Sequence, residues 1–328
     1  SAESPDVFFQ VRESVNKFYE AVPGIVEGYM DKINALAGTD YKPFNYFGAP
    51  DAEDIIISMG SSCGVIRETI GYWNARGKKL GLVEVHLYRP FSAEHLLRVI
   101  PETVKRIAVL DRTKEPGAMG EPLYLDIRNV YACRDNAPLI IGGRYGLGSK
   151  DFTPMDVMAV YANLASENPK NGFTVSIVDD VTNHSLPEFT PVFDSTPDGN
   201  FSCKFWGLGS DGTVGANKSA VKIIGDHTDY NVQAYFAYDA KKSGGVTISH
   251  LRFGPNEIQG SYQIKAANFI ACHNQSYVNK YDLIGDLKEG GVFLLNTIWS
   301  PEELEHELPA ELKRRIWEKK AEFYTLDA

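Results

Sequence analysis

Six residues between positions 207 and 213 have the types and spacing of an anion cradle. They are Gly207, Gly209, Ser210, Asp211, Gly212 and Thr213, in the run Trp206-Gly-Leu-Gly-Ser-Asp-Gly-Thr-Val-Gly-Ala-Asn-Lys218. An apolar, aromatic run ends at Phe205-Trp206, and a helix-like run follows from Ala216 to Ile224. A strand, a glycine turn and a helix start together aim free N–H groups and the positive end of a helix dipole at one point. The glycines admit close approach of a ligand. Ser210 and Thr213 add hydroxyls, and Lys218 adds a full charge about one turn into the helix. The plainer reading is a tight reversal with no ligand. A dinucleotide site also calls for an acidic residue about 20 positions on, at the end of the second strand. Here Asp239 follows Tyr235–Tyr238, 27 positions after Gly212, and Lys241 and Lys242 come almost at once. That arrangement favours a phosphorylated ligand over a bare ribose diol.

Four other runs carry polar chemistry. Gly60-Ser-Ser-Cys-Gly64 lies between a strand and a helix and reads either as an anion turn or as a simple reversal. Ile141-Gly-Gly-Arg-Tyr-Gly-Leu-Gly-Ser-Lys150 is a second glycine-rich loop with positive character, suited to a phosphate, a neighbouring domain or a plain connection. Arg89, after the strand ending near Leu87, suits a ligand carboxylate or a structural aspartate. Cys272 and His273 are adjacent at a strand end and read either as a nucleophilic pair or as a strand-end turn; adjacent side chains on a strand point to opposite faces, which favours the turn.

The elements that position these residues follow from periodicity. Residues 7–37 read as a helical arm interrupted at Pro23-Gly24 and stopped at Gly38, too small to form a core alone. Strand signals at Asp54–Met59, Leu80–Leu87, Arg106–Asp111, Leu139–Ile141 and Phe173–Val178 alternate with helices at Val65–Asn74, after Ser92 and after Thr153-Pro154. This is the βαβ rhythm of a mostly parallel sheet covered by helices. Prolines 187, 191 and 197 mark a boundary. Beyond it the rhythm repeats, with strands at Cys203–Trp206, Val232–Tyr238, Val246–Leu251, Phe269–Ala271 and Val292–Leu295. Residues 301–328 read as helical, started by Ser300-Pro301-Glu-Glu, with a further helix beginning at Thr325-Leu-Asp-Ala328.

Composition limits the classes. The chain has 328 residues, 43 % of them hydrophobic, and a formal net charge of −10. That length suits about two domains with real cores. The acidic balance argues against nucleic acid and against a membrane surface. No run is long enough to span a bilayer, and residues 1–6 have no signal-peptide pattern. The missing initiator methionine fits an excised piece or a tag scar. The four cysteines, 63, 133, 203 and 272, form no C-x-x-C pair. They read as reduced cytosolic thiols, mostly buried, and metal or iron–sulfur ligation has no support.

Taken in order, these motifs resemble the pyruvate:ferredoxin (flavodoxin) oxidoreductase family along essentially the whole chain. The carrying segments are Pro43-Phe-Asn-Tyr-Phe-Gly-Ala-Pro50, Glu53-Asp-Ile-Ile-Ile-Ser-Met-Gly-Ser-Ser62, Leu87-Tyr-Arg-Pro-Phe91 and Leu110-Asp-Arg-Thr-Lys-Glu-Pro-Gly117. The glycine runs at 141–148 and 206–218 and the segment Ala271-Cys-His-Asn274 complete the set. The resemblance implies an internal fragment in three parts. Residues 1–47 are the end of a pyruvate-binding first domain. Residues 48–190 are a domain II similar to the transketolase C-terminal domain. Residues 191–328 are most of a gamma-subunit-like, Rossmann-type domain III whose end lies beyond Ala328. The implied fold class is α/β: two consecutive three-layer domains with mostly parallel sheets, preceded by a helical arm.

The resemblance also implies the reaction. Pyruvate, coenzyme A and oxidised ferredoxin become acetyl-CoA, CO2 and reduced ferredoxin, in a cytoplasmic, homodimeric enzyme of anaerobic metabolism. Thiamine diphosphate, Mg2+ and 4Fe-4S clusters belong to domains that this sequence does not contain, so the fragment alone is expected to be inactive, with no catalytic residue and no metal site. Its expected share is scaffold and part of the coenzyme A site: Gly207, Gly209, Ser210, Asp211, Gly212, Thr213, Lys218, Lys241 and Lys242. Its partners are the enzyme's remaining domains, with ferredoxin or flavodoxin for the full enzyme. The alternatives are a domain-interface module with no ligand of its own, or a piece of another 2-oxoacid:ferredoxin oxidoreductase.

Overall fold

A computed structural model describes residues 3–238 and 244–328, so Asp239, Lys241 and Lys242 lie outside the described residues. Backbone contacts divide the chain into two units, Ser1–Ser195 and Thr196–Ala328.

In unit 1, helices α1 (Pro5–Glu13) and α2 (Asn16–Ala37) precede strands β1 (Phe44–Gly48) and β2 (Asp54–Ser58). Then follow α3 (Ser62–Asn74), β3 (Leu80–Val85), α4 (Ala93–Val99), β4 (Arg106–Asp111), α5 (Pro122–Tyr131), β5 (Leu139–Arg144), α6 (Pro154–Leu164) and β6 (Phe173–Thr174). The described strands form one sheet in the order β1-β3-β2-β4-β5-β6, parallel except for β1. Ile55 and Ile57, Val83 and Val85, and Ile107 and Val109 pack with Leu96 of α4 and with Leu123 and Ile127 of α5. The alternate residues Ile56, Leu82 and Ala108 are equally buried and face the other side. There α3 and α6 pack on the sheet and on each other. Both faces are covered, which is why the strands read as unbroken apolar runs. Thr153 and Asp156 form a capping box at the start of α6.

Three expectations change in this unit. The arm is not broken at Pro23-Gly24. Helix α2 runs through it and the break falls at Ser14–Val15. Proline costs a helix one hydrogen bond, but Pro23 is the buried residue of α2, so packing outweighs local propensity. The arm is anchored by Glu27, which meets His95 at 3.4 Å and Arg98 at 3.2 Å on α4. The strand expected over Phe173–Val178 stops at Thr174. Asp179 then gathers the N–H groups of Val181, Thr182 and His184 on its carboxylate, a local turn that competes with strand pairing. Helix α5 was not read from the sequence. Its first turn is started from a distance by Asp111, which accepts from the N–H groups of Leu123 (3.0 Å) and Tyr124 (3.1 Å).

Unit 2 contains β7 (Phe201–Leu208), α7 (Thr213–His227), β8 (Asn231–Tyr238), β9 (Val246–Gly254), β10 (Ala267–Cys272), β11 (Leu287–Asn296), α8 (Pro301–Glu307), α9 (Ala310–Glu318) and β12 (Glu322–Leu326). The described strands form a sheet in the order β12-β11-β10-β7-β9-β8. Strands β12, β11, β10 and β7 are mutually parallel, and β9 is antiparallel to both β7 and β8. Helix α7 packs on β7, β8 and β9. Ile270, Phe293 and Leu295 face a core with Tyr277, Leu308 and Leu312.

Two expectations change here. The second strand, β8, does not lie beside β7, because β9 returns between them as an antiparallel partner of each. The unit therefore departs from a plain βαβ repeat. The chain end is also not helical. Lys320 takes a left-handed conformation (φ 49°) after α9, and residues 322–326 add β12 to the edge of the sheet. Phe323 stacks on Phe293 at 5.3 Å, so aromatic burial decides the matter over a polar sequence.

Candidate functional site

The chain leaves the neighbouring parallel strands β7 and β10 in opposite directions: α7 leads from β7 to β8 on one side, while β10 is followed by β11 on the other. Such a reversal of strand order opens a crevice at the carboxyl ends of the two neighbouring parallel strands. The turn 207–213 follows β7, and His273 follows β10. The register sets them together, since Cys272 pairs with Trp206 and the His273 N–H donates to the Trp206 carbonyl at 2.9 Å.

The glycine turn is tightly specified. A Cβ on Gly207 would overlap the Thr213 hydroxyl, lie 2.7 Å from the Thr213 Cβ and lie 2.9 Å from an Asp211 carboxylate oxygen. Gly209 donates its N–H to the Gly245 carbonyl at 2.8 Å. Ser210 (φ 75°) and Gly212 (φ 92°) both take left-handed backbone. Asp211 is the hub: its Oδ2 accepts from the Leu208 N–H at 2.7 Å and its Oδ1 from the Thr213 N–H at 2.8 Å. The Thr213 hydroxyl lies 2.7 Å from His273 Nδ1. Burial lowers the pKa of this imidazole, against the opposing pull of the Asp211 charge.

One donor of the first turn of α7 is therefore taken by the chain itself. The N–H groups of Val214 and Gly215 are not: among the described residues no carbonyl or side chain accepts from them. Gly212 and Gly215 face open space, with nothing within 4 Å of where a Cβ would sit. Asn217, one turn further along and 4 % exposed, has a side-chain amide nitrogen without a partner among the described residues. Thr247, 5 % exposed, and Ser249 carry hydroxyls on β9 without partners among the described residues, cross-strand from Gly207 and Phe205.

The candidate residues thus divide. Gly207, Gly209, Ser210, Asp211, Gly212 and Thr213 form one turn. Lys218 lies on α7 but reaches the ring of Phe236 on β8, its ammonium 5.5 Å from the ring centre. Lys241 and Lys242 are outside the described residues. His273 and the Asn217–Thr247–Ser249 group were not selected from sequence. The parity of Thr213 and Asn217, four apart on one helix, is the signal that would have found Asn217.

Other motifs prove to be structural. Arg89 pairs with Asp126 at 2.7 Å. Ser58 and Ser62 share a hydroxyl–hydroxyl bond of 2.6 Å, and Arg112 ties Ser61 to the Gly146 carbonyl. Cys272 points into the apolar core while His273 points toward α7, as strand alternation requires. Burial pushes the Cys63 and Cys203 thiols up to about 12 and Cys272 to about 11, which makes them poor nucleophiles. Among the described residues no three potential ligands stand together for a metal, and no helix is long and apolar enough to cross a membrane.

Comparison with known proteins follows the two units. Residues 202–328 match the family model "Pyruvate ferredoxin/flavodoxin oxidoreductase", and residues 52–157 match "Pyruvate:ferredoxin oxidoreductase core domain II". The whole chain is 58 % identical to the pyruvate:ferredoxin oxidoreductase of Moorella thermoacetica. It is 57 % identical to the pyruvate-flavodoxin oxidoreductase of Enterobacter agglomerans. In each case it spans 28 % of the relative's length. Among solved structures it is similar to the pyruvate oxidoreductase subunit PORC of Thermotoga maritima, with 18 % identity, 34 % of this chain and 57 % of that one covered, and a TM-score of 0.29.

Proposed function

Because this chain belongs to the pyruvate:ferredoxin (flavodoxin) oxidoreductase family, we propose that it supplies scaffold and one phosphate-binding edge of the coenzyme A site in such an enzyme. The reaction is the oxidative decarboxylation of pyruvate to acetyl-CoA with reduction of ferredoxin or flavodoxin. Residues 48–190 and 191–328 act as its second and third domains, and residues 1–47 complete the first. Thiamine diphosphate, Mg2+ and the 4Fe-4S clusters are held by other parts of the enzyme, which works as a cytoplasmic homodimer.

One observation carries the ligand reading: at a switch-point crevice the N–H groups of Val214 and Gly215 have no acceptor among the described residues, beside open space at the Cβ positions of Gly212 and Gly215. Coenzyme A brings a pyrophosphate and a 3′-phosphate, which suit such donors, with Ser210 beside them. Asp211 supports the competing reading of a domain-interface module, because its carboxylate already fills part of the anion seat.

Gly215→Glu separates the two. An acidic residue in the first turn favours the helix but places a negative charge where a phosphate would sit. Titration calorimetry with coenzyme A should show binding to the parent chain and at least about tenfold weaker binding to the variant, equal to about 1.4 kcal/mol. Equal heats for both, or none for the parent, would favour the interface reading.

A further inference from the structure

Unit 1 carries a second cavity chemistry at the opposite end of its sheet from the Gly60 turn. A half-open cavity of about 610 Å³ lies at the amino ends of β2, β3 and β4. That volume is within the range of small-molecule sites. Its lining is mainly apolar and aromatic: Trp73 of α3, Met158 and Tyr161 of α6, Leu80 of β3, and Phe189. Trp73 is held edge-on against Phe189 and Phe193. Tyr161 is fixed by its hydroxyl, which donates to the Gly81 carbonyl at 2.8 Å. Rigid aromatic walls of this kind take a flat apolar body at low entropic cost.

The rim decides the charge of the occupant. Asp51 pairs with Lys79, Asp54 with Arg106, and Glu53 with Lys105. Every rim acid is thus neutralised in place. Lys78 also lines the cavity, and among the described residues its ammonium has no acid within ion-pair reach. A cavity with apolar walls and one surplus cation at its rim matches an apolar ring system bearing a single anionic group.

We propose that the cavity bounded by Trp73, Met158, Tyr161 and Phe189 is a binding site for a compact aromatic monocarboxylate, with its carboxylate at Lys78. The site is separate from the β7–α7 turn and does not depend on the coenzyme A reading. The probes are 2-naphthoate, its neutral analogue 2-naphthalenemethanol, and the cationic 2-naphthylmethylamine, titrated into the folded chain by calorimetry and ligand-observed NMR.

The acid should bind with a dissociation constant on the order of 0.1–1 mM. The alcohol should bind several-fold more weakly and the amine more weakly still. Lys78→Glu should weaken the acid about tenfold and leave the alcohol unchanged. Ala162→Trp, an exposed position on the lining, should remove both. Absence of binding by the acid up to about 5 mM overturns the proposal. So does equal affinity for all three probes, or acid binding that survives Ala162→Trp in a variant of unchanged circular dichroism. Binding of the acid that is indifferent to Lys78→Glu overturns its charge assignment.

Discussion

The two sheets keep their charges in opposite places. In unit 1 the middles of the strands are apolar, as in Ile55–Ile57 and Ile107–Val109, and ionic groups sit at strand ends. Asp54 and Arg106 pair at the amino edge, while Glu84 and Asp111 lie near the carboxyl edge. Glu84 is held by Arg67 in a two-bonded pair. In unit 2 the middle of the sheet is polar: Lys204 of β7 stands directly across from His250 of β9, two residues from Arg252. Lys204 reaches Asp286, and Arg252 reaches Gln233 at 2.8 Å and the Tyr262 carbonyl at 2.7 Å. Apolar strands obtain stability from burial, which is nearly blind to pH. A polar strand pair obtains part of its order from groups that titrate.

The largest expected effect follows from that contrast. His250 is 2 % exposed. Burial first, then Lys204 and Arg252, bring its pKa from 6.5 down to about 3. The unfolded imidazole takes a proton below about 6.5, and the folded one does not until about 3. The unfolded state therefore binds more protons in that window, and stability falls as pH falls through it. The full span amounts to about 5 kcal/mol. Hydrogen exchange at pH 7 and pH 4.5 should show protection falling more in β7 and β9 than in β2 and β4. His250→Gln should remove about one proton's worth of this slope. An equal loss in both sheets would dissolve the comparison.

A smaller effect distinguishes the two glycine turns. Gly207 is required by contact, because a Cβ there meets Thr213 and Asp211. Gly60 is required only by its backbone, with φ 73° and open space around it. Gly207→Ala should cost unit 2 about 3 kcal/mol through overpacking. Gly60→Ala should cost unit 1 about 1 kcal/mol, the usual penalty of a left-handed alanine. Urea midpoints of the two variants measure the difference directly. Similar losses would mean that the turn after β7 yields as easily as the one after β2.

Legibility in the sequence follows the same division. The strands of unit 1 were readable because apolar runs and glycine or proline punctuation are local signals. So were the Thr153 and Ser300 helix starts, which the structure makes as capping boxes. What failed depended on distant partners. Pro23 stays helical because it is buried. Residues 322–326 become a strand because β11 offers an edge and Phe293 a stacking face. Strand β9 inserts between β7 and β8, which no local pattern announces. In the turn itself the residues were legible but their roles were not. Asp211 reads from spacing as a ligand contact, whereas its carboxylate closes the turn. His273, sixty positions from Thr213, joins it only through the parallel pairing of β10 with β7.

The smallest effect is also the most discriminating. Both turns are closed by side chains, but unit 1 uses the neutral pair Ser58–Ser62 and unit 2 uses the carboxylate of Asp211. Asp211→Asn keeps one acceptor oxygen and replaces the other by a donor. One of the two N–H groups, on Leu208 or Thr213, then loses its partner, at a cost of about 1 kcal/mol. Ser58→Ala removes a neutral bond of similar net worth, so urea midpoints should move alike. Anion affinity should not. Removing the negative charge beside the open N–H groups of Val214 and Gly215 lowers the repulsion felt by an incoming phosphate. Coenzyme A should therefore bind Asp211→Asn more tightly than the parent, by about threefold at low salt, while Ser58→Ala leaves that affinity unchanged. Stability lost with no gain in affinity would assign Asp211 to the turn alone and favour the interface reading of unit 2.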